Sequence, residues 1–155
     1  MSAPTPRPGI LDIAPYKGGK SSSGSAQRVI KLSSNEGALG PSPKAMEALR
    51  NTASRLHRYP DGGCDLLRNK LAEKYGLEVD QLVCGAGSDE LLTLLIRAYA
   101  GPGDEVLYSQ HGFLMYPIAA MGVGATPLTA PETNMTTNVD ALLAAVTDKT
   151  KIVFV

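Results

Sequence analysis

The sequence predicts an α/β domain of three layers, in which strands alternate with helices and a mostly parallel sheet lies between them. From residue 82 onward, short apolar runs alternate with amphipathic segments in the order strand, helix, strand, helix, strand, helix, strand. Turns rich in glycine and proline separate these segments. The 155 residues are enough for one domain with a sizeable core.

The first 42 residues predict an arm and a loop that precede this domain. Residues 1–28 are rich in proline, glycine and serine, with one helical turn expected at residues 10–13. Residues 29–32 are a short strand candidate, and a loop follows them. We therefore divide the chain into an arm with a loop (1–42) and the first part of the α/β domain (43–155).

Capping residues predict two helices after the arm. Ser42 is a good N-cap and Pro43 a good first helical residue, for a helix that runs to about Leu56. A second amphipathic helix covers residues 65–75, and Gly76 ends it.

The segment from Val83 to Glu90 is the first candidate for a ligand site. It predicts a buried strand at residues 82–84, a Gly-x-Gly turn, and a helix that opens at Ser88 and Asp89. Since the first N–H groups of a helix lack intrahelical partners and its macrodipole is positive there, this turn suits a phosphate. An ordinary turn, with Ser88 as N-cap and two acidic residues complementing the dipole, explains the same residues.

Two familiar phosphate loops do not match this segment. A Walker loop requires Gly-Lys-Ser/Thr, but no lysine lies between Lys74 and Lys149. The dinucleotide fingerprint requires a third glycine where the chain has Glu90. A phosphate bound here would therefore belong to another class of cofactor.

The remaining segments complete the alternation. We expect strands at residues 105–108, 125–128 and 151–155, a helix at residues 113–121, and a helix capped by Asn138. Ligands of parallel sheets bind at the carboxyl ends of the strands. The apolar run 152–155 is typical of a central strand, and because the sequence stops there we expect it to be truncated within its domain.

Composition excludes several classes of function. Fifteen basic residues balance fifteen acidic ones, so no basic excess favours nucleic acid or an anionic membrane. The first residues lack the apolar segment of a signal peptide, and Cys64 and Cys84 form no disulfide framework, so we expect a cytoplasmic protein. His57 and His111 are too few for a histidine-based metal site, and none is expected.

Eight segments, in order, resemble the pyridoxal-phosphate-dependent aminotransferases of the aspartate-aminotransferase fold. The segments are residues 9–16, 31–36, 39–43, 59–62, 87–92, 101–106, 113–116 and 150–154. Each is weak alone, but together they span nearly the whole chain. The Pro15-Tyr16 arm and the Ser34-Asn35-Glu36 loop are similar to the histidinol-phosphate branch of this family.

The resemblance implies that pyridoxal 5'-phosphate is the cofactor and that five residues hold it. Backbone N–H groups at Gly87, Ser88 and Asp89 would bind the phosphate, and the ring of Phe113 would stack on the pyridine ring. Tyr59 would reach the cofactor phosphate of a neighbouring subunit, so a homodimer is expected. The alternatives are a core aromatic residue for Phe113 and a turn-anchoring tyrosine for Tyr59.

The resemblance also implies a reaction with small-molecule substrates. An amino group would move between L-histidinol phosphate and 2-oxoglutarate, giving imidazole acetol phosphate and glutamate in histidine biosynthesis. Tyr16 and Asn35 would lie near the substrate, or else make local hydrogen bonds in loops. The alternatives are an aromatic or aspartate aminotransferase, a phosphothreonine decarboxylase, and a truncated product without a function.

The chain departs from the family in what it lacks. Where the family has Asn-Pro after the Asn-Glu pair, this chain has Gly37-Ala38, and residues 109–112 lack the usual proline. No lysine of the chain lies in the Ser-x-x-Lys context of the Schiff-base lysine. We therefore expect these residues to be an N-terminal fragment that is inactive alone.

Overall fold

The computed structural model describes residues 4–18, 30–31 and 33–155. It divides the chain into two compact units: the first unit comprises Met1–Tyr16 and Asp80–Val155, and the second unit Lys17–Val79. The domain boundary expected at residue 42 stays a prediction. Apart from residues 30 and 31, which belong to no strand, the strand expected at residues 29–32 lies outside the described residues.

The described residues of the second unit contain two α-helices, and both begin where the sequence predicts. They are α1 (Pro43–Thr52), followed by a 3₁₀ turn (Ala53–Arg55), and α2 (Asp65–Tyr75). The Ser42 hydroxyl accepts a hydrogen bond from the Ala45 N–H at 3.2 Å, and Gly76 ends α2 with φ 66°. α1 ends four residues before Leu56, because its last turn tightens into the 3₁₀ turn.

From α3 onward, the first unit contains the predicted alternation of helices and strands. Its elements are a 3₁₀ turn (Ile10–Asp12), α3 (Ser88–Tyr99), β1 (Glu105–Ser109), α4 (Met115–Val123), β2 (Thr126–Ala130), α5 (Val139–Ala145) and β3 (Thr150–Phe154). The helical turn on the arm and the helix capped by Asn138 are confirmed, the latter by a 3.0 Å bond from the Ala141 N–H to Asn138 Oδ1. None of the helices in the described part of the chain is long and apolar enough to cross a bilayer.

The three strands form a parallel sheet in the order β2-β1-β3. In the register of this sheet, Leu107 lies opposite Leu128 on one side and Val153 on the other. Pro127 is tolerated in β2 because an edge strand has backbone N–H groups that need no partner. The parallel sheet is confirmed, and β1 lies between β2 and β3. That the last strand is central in the complete domain stays a prediction.

Helices cover both faces of this sheet, as the three-layer prediction requires. Val106 packs with Ile96 of α3 and with Ala119 and Ala120 of α4 in one core cluster. Its neighbour Leu107 packs in a second cluster, with Ala130 of β2 and Leu142 of α5. Since successive strand residues point to opposite faces, the two clusters lie on opposite sides of β1.

One predicted strand is wrong. Residues 82–84 belong to no strand in the structure, and the Val83 side chain is 72% exposed. A strand exists through hydrogen bonds to a neighbouring strand, and the sheet of the described residues consists of β1, β2 and β3 alone. An apolar run indicates burial but not pairing, so the sequence could not supply this information.

Candidate functional site

α3 begins directly after the glycine turn that the sequence singled out. Gly87 precedes the helix with φ 84° and ψ −179°, a backbone conformation that residues with a side chain rarely adopt. No atom lies within 4 Å of the position that a Cβ would occupy there. The Gly87 N–H donates to the Gly85 carbonyl at 2.9 Å, so the turn is tight. Ser88 is the first helical residue, which corrects its expected role as N-cap, and in this described segment no side chain caps the helix.

Glu90 closes the turn from the helix side. Its Oε2 accepts a hydrogen bond from the Ala86 N–H at 2.5 Å, an arrangement that complements the helix dipole. A Cβ on Gly85 would lie 3.0 Å from this oxygen and 3.1 Å from Leu91 Cδ2, so a larger residue there would have to displace the ends of these two side chains. The N–H groups of the first turn, at Ser88 and Asp89, lie at the open end of the helix, which suits an anion.

Five aromatic rings, each from a different part of the first unit, form one cluster. Tyr116 of α4 stacks on Phe154 of β3, with ring centroids 4.2 Å apart and planes 3° apart. Its centroid is also 5.7 Å from that of Tyr108 and 6.0 Å from that of Phe113. Tyr16 of the arm meets Phe113 edge to face at 6.2 Å. The fold therefore brings together two of the predicted site residues, Tyr16 and Phe113.

The arm reaches Phe113 because it lies along α4. Arg7 Nη2 donates a hydrogen bond to the Gly122 carbonyl at 2.5 Å. Further along, Tyr16 and other arm residues line a cavity of about 230 Å³ together with Leu114 and Met121. These contacts hold Tyr16 at the loop before α4.

Phe113 lies in the loop between β1 and α4, not in a helix as predicted. The Gly112 N–H donates to the Ser109 carbonyl at 2.8 Å, and a Cβ on Gly112 would be only 2.9 Å from that oxygen. This close turn delays the helix to Met115. Phe113 is 38% exposed, so the alternative of a core aromatic residue on a buried helix does not describe it.

A carboxylate that the sequence analysis missed ties this loop to the end of β2. Glu132 Oε1 accepts hydrogen bonds from the Ser109 hydroxyl at 2.8 Å and from the His111 N–H at 3.0 Å. Its Oε2 lies 2.8 Å from His111 Nδ1. The Glu132 side chain is only 6% exposed, so its charge depends on these three partners.

The same contacts determine the ionisation of Glu132. Hydrogen bonds from the His111 side chain, the His111 N–H and the Ser109 hydroxyl hold its pKa below the ordinary value, although burial opposes them. An ionised carboxylate only accepts hydrogen bonds, so His111 carries a proton on Nδ1 and donates it. Within the aromatic cluster, burial raises the pKa of Tyr108, which keeps its hydroxyl neutral.

One signal could have indicated Glu132. Neighbouring parallel strands end at the same edge of a sheet, where ligands bind. Ser109 ends β1, Ala130 ends β2, and the Gln110 N–H donates to the Ala130 carbonyl at 2.9 Å. Glu132 follows two residues later, but the sequence does not show that β1 and β2 are neighbours.

The other two predicted site residues lie in the second unit. Tyr59 follows α1 in a loop and is 97% exposed. Asn35 is exposed and has φ 51°, a left-handed conformation that asparagine tolerates better than most residues. The roles of these two residues stay predictions.

The family model for aminotransferase class I and II matches residues 27–155 of this chain. The chain is 67% identical to the histidinol-phosphate aminotransferase of Paramagnetospirillum magneticum, over 99% of this chain and 42% of that protein. It is 59% identical to that of Rhodospirillum centenum, over 100% of this chain and 43% of that protein. The chain thus spans less than half the length of these curated relatives.

Solved structures show the same fold. The crystal structure of histidinol-phosphate aminotransferase from Sinorhizobium meliloti, in complex with pyridoxal-5'-phosphate, matches 75% of this chain and 32% of that one, with a TM-score of 0.71 and 28% identity. N-succinyldiaminopimelate aminotransferase from Mycobacterium tuberculosis matches 72% of this chain and 33% of that one, with a TM-score of 0.61. At 22% identity, the second likeness shows the fold alone.

Proposed function

The chain belongs to the aminotransferase class I and II family, and from this premise we propose that its protein is a pyridoxal-phosphate-dependent aminotransferase of histidine biosynthesis. It moves an amino group between L-histidinol phosphate and 2-oxoglutarate, and gives imidazole acetol phosphate and glutamate. The observation that carries this proposal is the 67% identity, over nearly the whole chain, to a histidinol-phosphate aminotransferase.

The start of α3 fits the phosphate group of the cofactor. Gly87 places no side chain over the turn, and the N–H groups of Ser88 and Asp89 lie where the helix dipole is positive. Binding there orients the cofactor and costs the protein little rearrangement, because Glu90 already holds the turn. The bound cofactor supplies an electron sink for the negative charge that develops on the substrate.

Phe113 and Tyr16 provide the apolar side of the site. The Phe113 ring is partly exposed and offers a flat surface on which a pyridine ring stacks without hydrogen bonds. Tyr16 meets that ring edge to face, and its hydroxyl group is proposed to bind a polar group of the substrate.

The second unit supplies the remaining proposed contacts. Tyr59, which is almost fully exposed, binds the cofactor phosphate of a second subunit, so the working enzyme is a homodimer. Asn35 binds the substrate. The composition supports a cytoplasmic location for this enzyme, since two cysteines provide no disulfide framework.

The proposal can be tested in a chimera that joins this chain to the remaining part of the Paramagnetospirillum magneticum relative. We expect the purified chimera to bind pyridoxal 5'-phosphate and to convert L-histidinol phosphate in the presence of 2-oxoglutarate. Activity is measured as glutamate formed. Faster turnover of aspartate or phenylalanine, or release of CO₂ from phosphothreonine, would contradict the substrate assignment and favour a relative on the same fold.

The 155-residue chain alone serves as the control. We expect no turnover from it, because the reaction requires a Schiff-base lysine and none of its lysines lies in the Ser-x-x-Lys context usual for that residue. Turnover by this chain comparable to that of the chimera would show that one of its own lysines carries the reaction.

A further inference from the structure

We propose that Glu132 is a positioning residue for Phe113, and that it acts through Ser109 and His111. This inference rests on the proposed function, since it concerns the ring that stacks on the cofactor. Glu132 lies on the segment after β2, whereas Phe113 lies in the loop after β1. The carboxylate is therefore a link between two segments that are separate in sequence.

The loop before Phe113 is fixed by its backbone hydrogen bonds. The N–H groups of three successive residues donate to different partners: Gln110 to the Ala130 carbonyl at 2.9 Å, His111 to Glu132 at 3.0 Å, and Gly112 to the Ser109 carbonyl at 2.8 Å. Glu132 supplies the only side chain among these acceptors. Loss of its carboxylate would release the middle one of the three bonds.

The Glu132 carboxylate also forms hydrogen bonds with two side chains. It binds the Ser109 hydroxyl at the end of β1 and the His111 ring in the loop. Hydrogen bonds to an ionised acceptor are shorter and stronger than neutral ones. The Glu132 side chain is only 6% exposed, whereas that of His111 is 53% exposed, so the bond to Ser109 is the one that water would replace least readily.

The Phe113 ring meets two other aromatic rings by its edges or theirs and is not stacked face to face. Its ring contacts in the described structure are with Tyr16 and Tyr116, and both are edge contacts at centroid distances of 6.2 and 6.0 Å. The ring is also partly exposed. Its orientation therefore depends on the backbone of the loop, which Glu132 holds in place.

The test compares three variants of the chimera: Glu132→Ala, Glu132→Gln and, as the matched control, Glu73→Ala. Glu73 is an exposed glutamate on α2 that pairs with Lys70. Hydrogen–deuterium exchange of residues 109–114, measured without cofactor, reports the order of the loop. The dissociation constant of pyridoxal 5'-phosphate and its absorbance maximum report the placement of the ring.

Glu132→Ala removes all three hydrogen bonds of the carboxylate, among them the one from the His111 N–H. It should speed exchange of the His111 amide and weaken cofactor binding, each by at least on the order of tenfold. Glu132→Gln keeps an oxygen that accepts from Ser109 and from the His111 N–H, so it should retain most of the cofactor affinity. Glu73→Ala should change neither measurement. Should Glu132→Ala fail to fold, Ser109→Ala and His111→Ala each remove one partner and should give smaller changes in the same direction.

Two results would overturn the inference: unchanged exchange in Glu132→Ala, or faster exchange with unchanged cofactor affinity and absorbance. The second result would mean that Glu132 orders the loop without placing the ring. Failure of the unmutated chimera to bind cofactor or to transaminate would instead count against the proposed function. Exchange measured without cofactor would still report whether Glu132 anchors the loop, so the two failures are distinguishable.

Discussion

The two units differ in what holds their helices. In the first unit, α3, α4 and α5 pack on the sheet through fully or nearly buried residues such as Ile96, Ala120 and Leu142. In the described part of the second unit, Ala72 is the one buried apolar residue, while Leu49 of α1 and Leu66 of α2 are exposed. Tertiary packing thus maintains the first unit, whereas local interactions maintain α1 and α2.

This difference has an energetic consequence. Helices of 10 and 11 residues are short for stability in water, and most helical stability in proteins comes from packing of an apolar face. Because α1 and α2 leave such faces exposed, their stability depends on caps and turns, each of which contributes little. We expect the second unit to open locally at a lower free energy than the first.

The largest effect should follow from removing a buried side chain of the sheet. Leu107 is fully buried at the centre of β1. Leu107→Ala should lower the free energy of unfolding by about 2–5 kcal/mol, from lost burial and the cavity that remains. Urea denaturation of the 155-residue chain, followed by circular dichroism, measures this change.

The control for that substitution lies in the second unit. Leu66→Ala on α2 removes the same atoms from a side chain that is 80% exposed. Its effect should stay within about 0.5 kcal/mol, as at most surface positions. Equal losses for the two variants would contradict the contrast between the units.

Removing a helix cap should have a smaller effect, and that effect should be global in the first unit but local in the second. Asn138 and Ser42 cap α5 and α1 through the same kind of bond, at 3.0 and 3.2 Å. Each change to alanine should cost about 1 kcal/mol. Since α5 packs on the sheet through Leu142, Asn138→Ala should lower the global free energy of unfolding. Ser42→Ala should instead speed amide exchange in the first turn of α1.

One result for these two cap variants would contradict the expected difference between the units. If Ser42→Ala lowered the global free energy as much as Asn138→Ala, then α1 would be part of the same cooperative unit as the sheet. The circular dichroism transition and the exchange of the α1 amides would then change together.

Local signals also explain which parts of the fold were predictable from the sequence. Caps and turn glycines act within a few residues, so Ser42, Asn138 and Gly76 marked helix ends where the structure has them. The alternation of apolar runs indicated the parallel sheet, which is confirmed. Strand pairing is not local, and so residues 82–84 were assigned a strand that the structure does not contain.

In the candidate site, too, the sequence indicated local features but not contacts between distant residues. The glycine turn before α3 was evident from neighbouring residues alone. The start of α4 was placed two residues early, because the close approach of Gly112 to the Ser109 carbonyl is visible only in three dimensions. Glu132 was missed because its partners lie more than 20 residues away, in the neighbouring strand and loop.

The most subtle prediction concerns the dependence of stability on pH. The pKa of Glu132 is lowered from its ordinary value of 4.5, mainly by its hydrogen bonds to His111. Between the lowered pKa of the folded state and the ordinary pKa of the unfolded state, Glu132 therefore binds fewer protons in the folded protein than in the unfolded one. The ionised Glu132 carboxylate therefore stabilises the fold at a pH above its pKa in the unfolded state. This stabilisation is lost as the pH falls through its lower pKa in the folded state.

The free energy of unfolding, measured by urea denaturation between pH 7 and pH 3, should test this sign. Glu132→Gln cannot gain or lose this charge, so its stability should lie below that of the unmutated chain near pH 7 and approach it as the pH falls. Glu73→Gln in the second unit should follow the unmutated curve, because its exposed pair with Lys70 is screened by water. A gap between Glu132→Gln and the unmutated chain that stays constant over this pH range would mean that the charge on Glu132 contributes nothing, and that hydrogen-bond geometry alone holds the loop before Phe113.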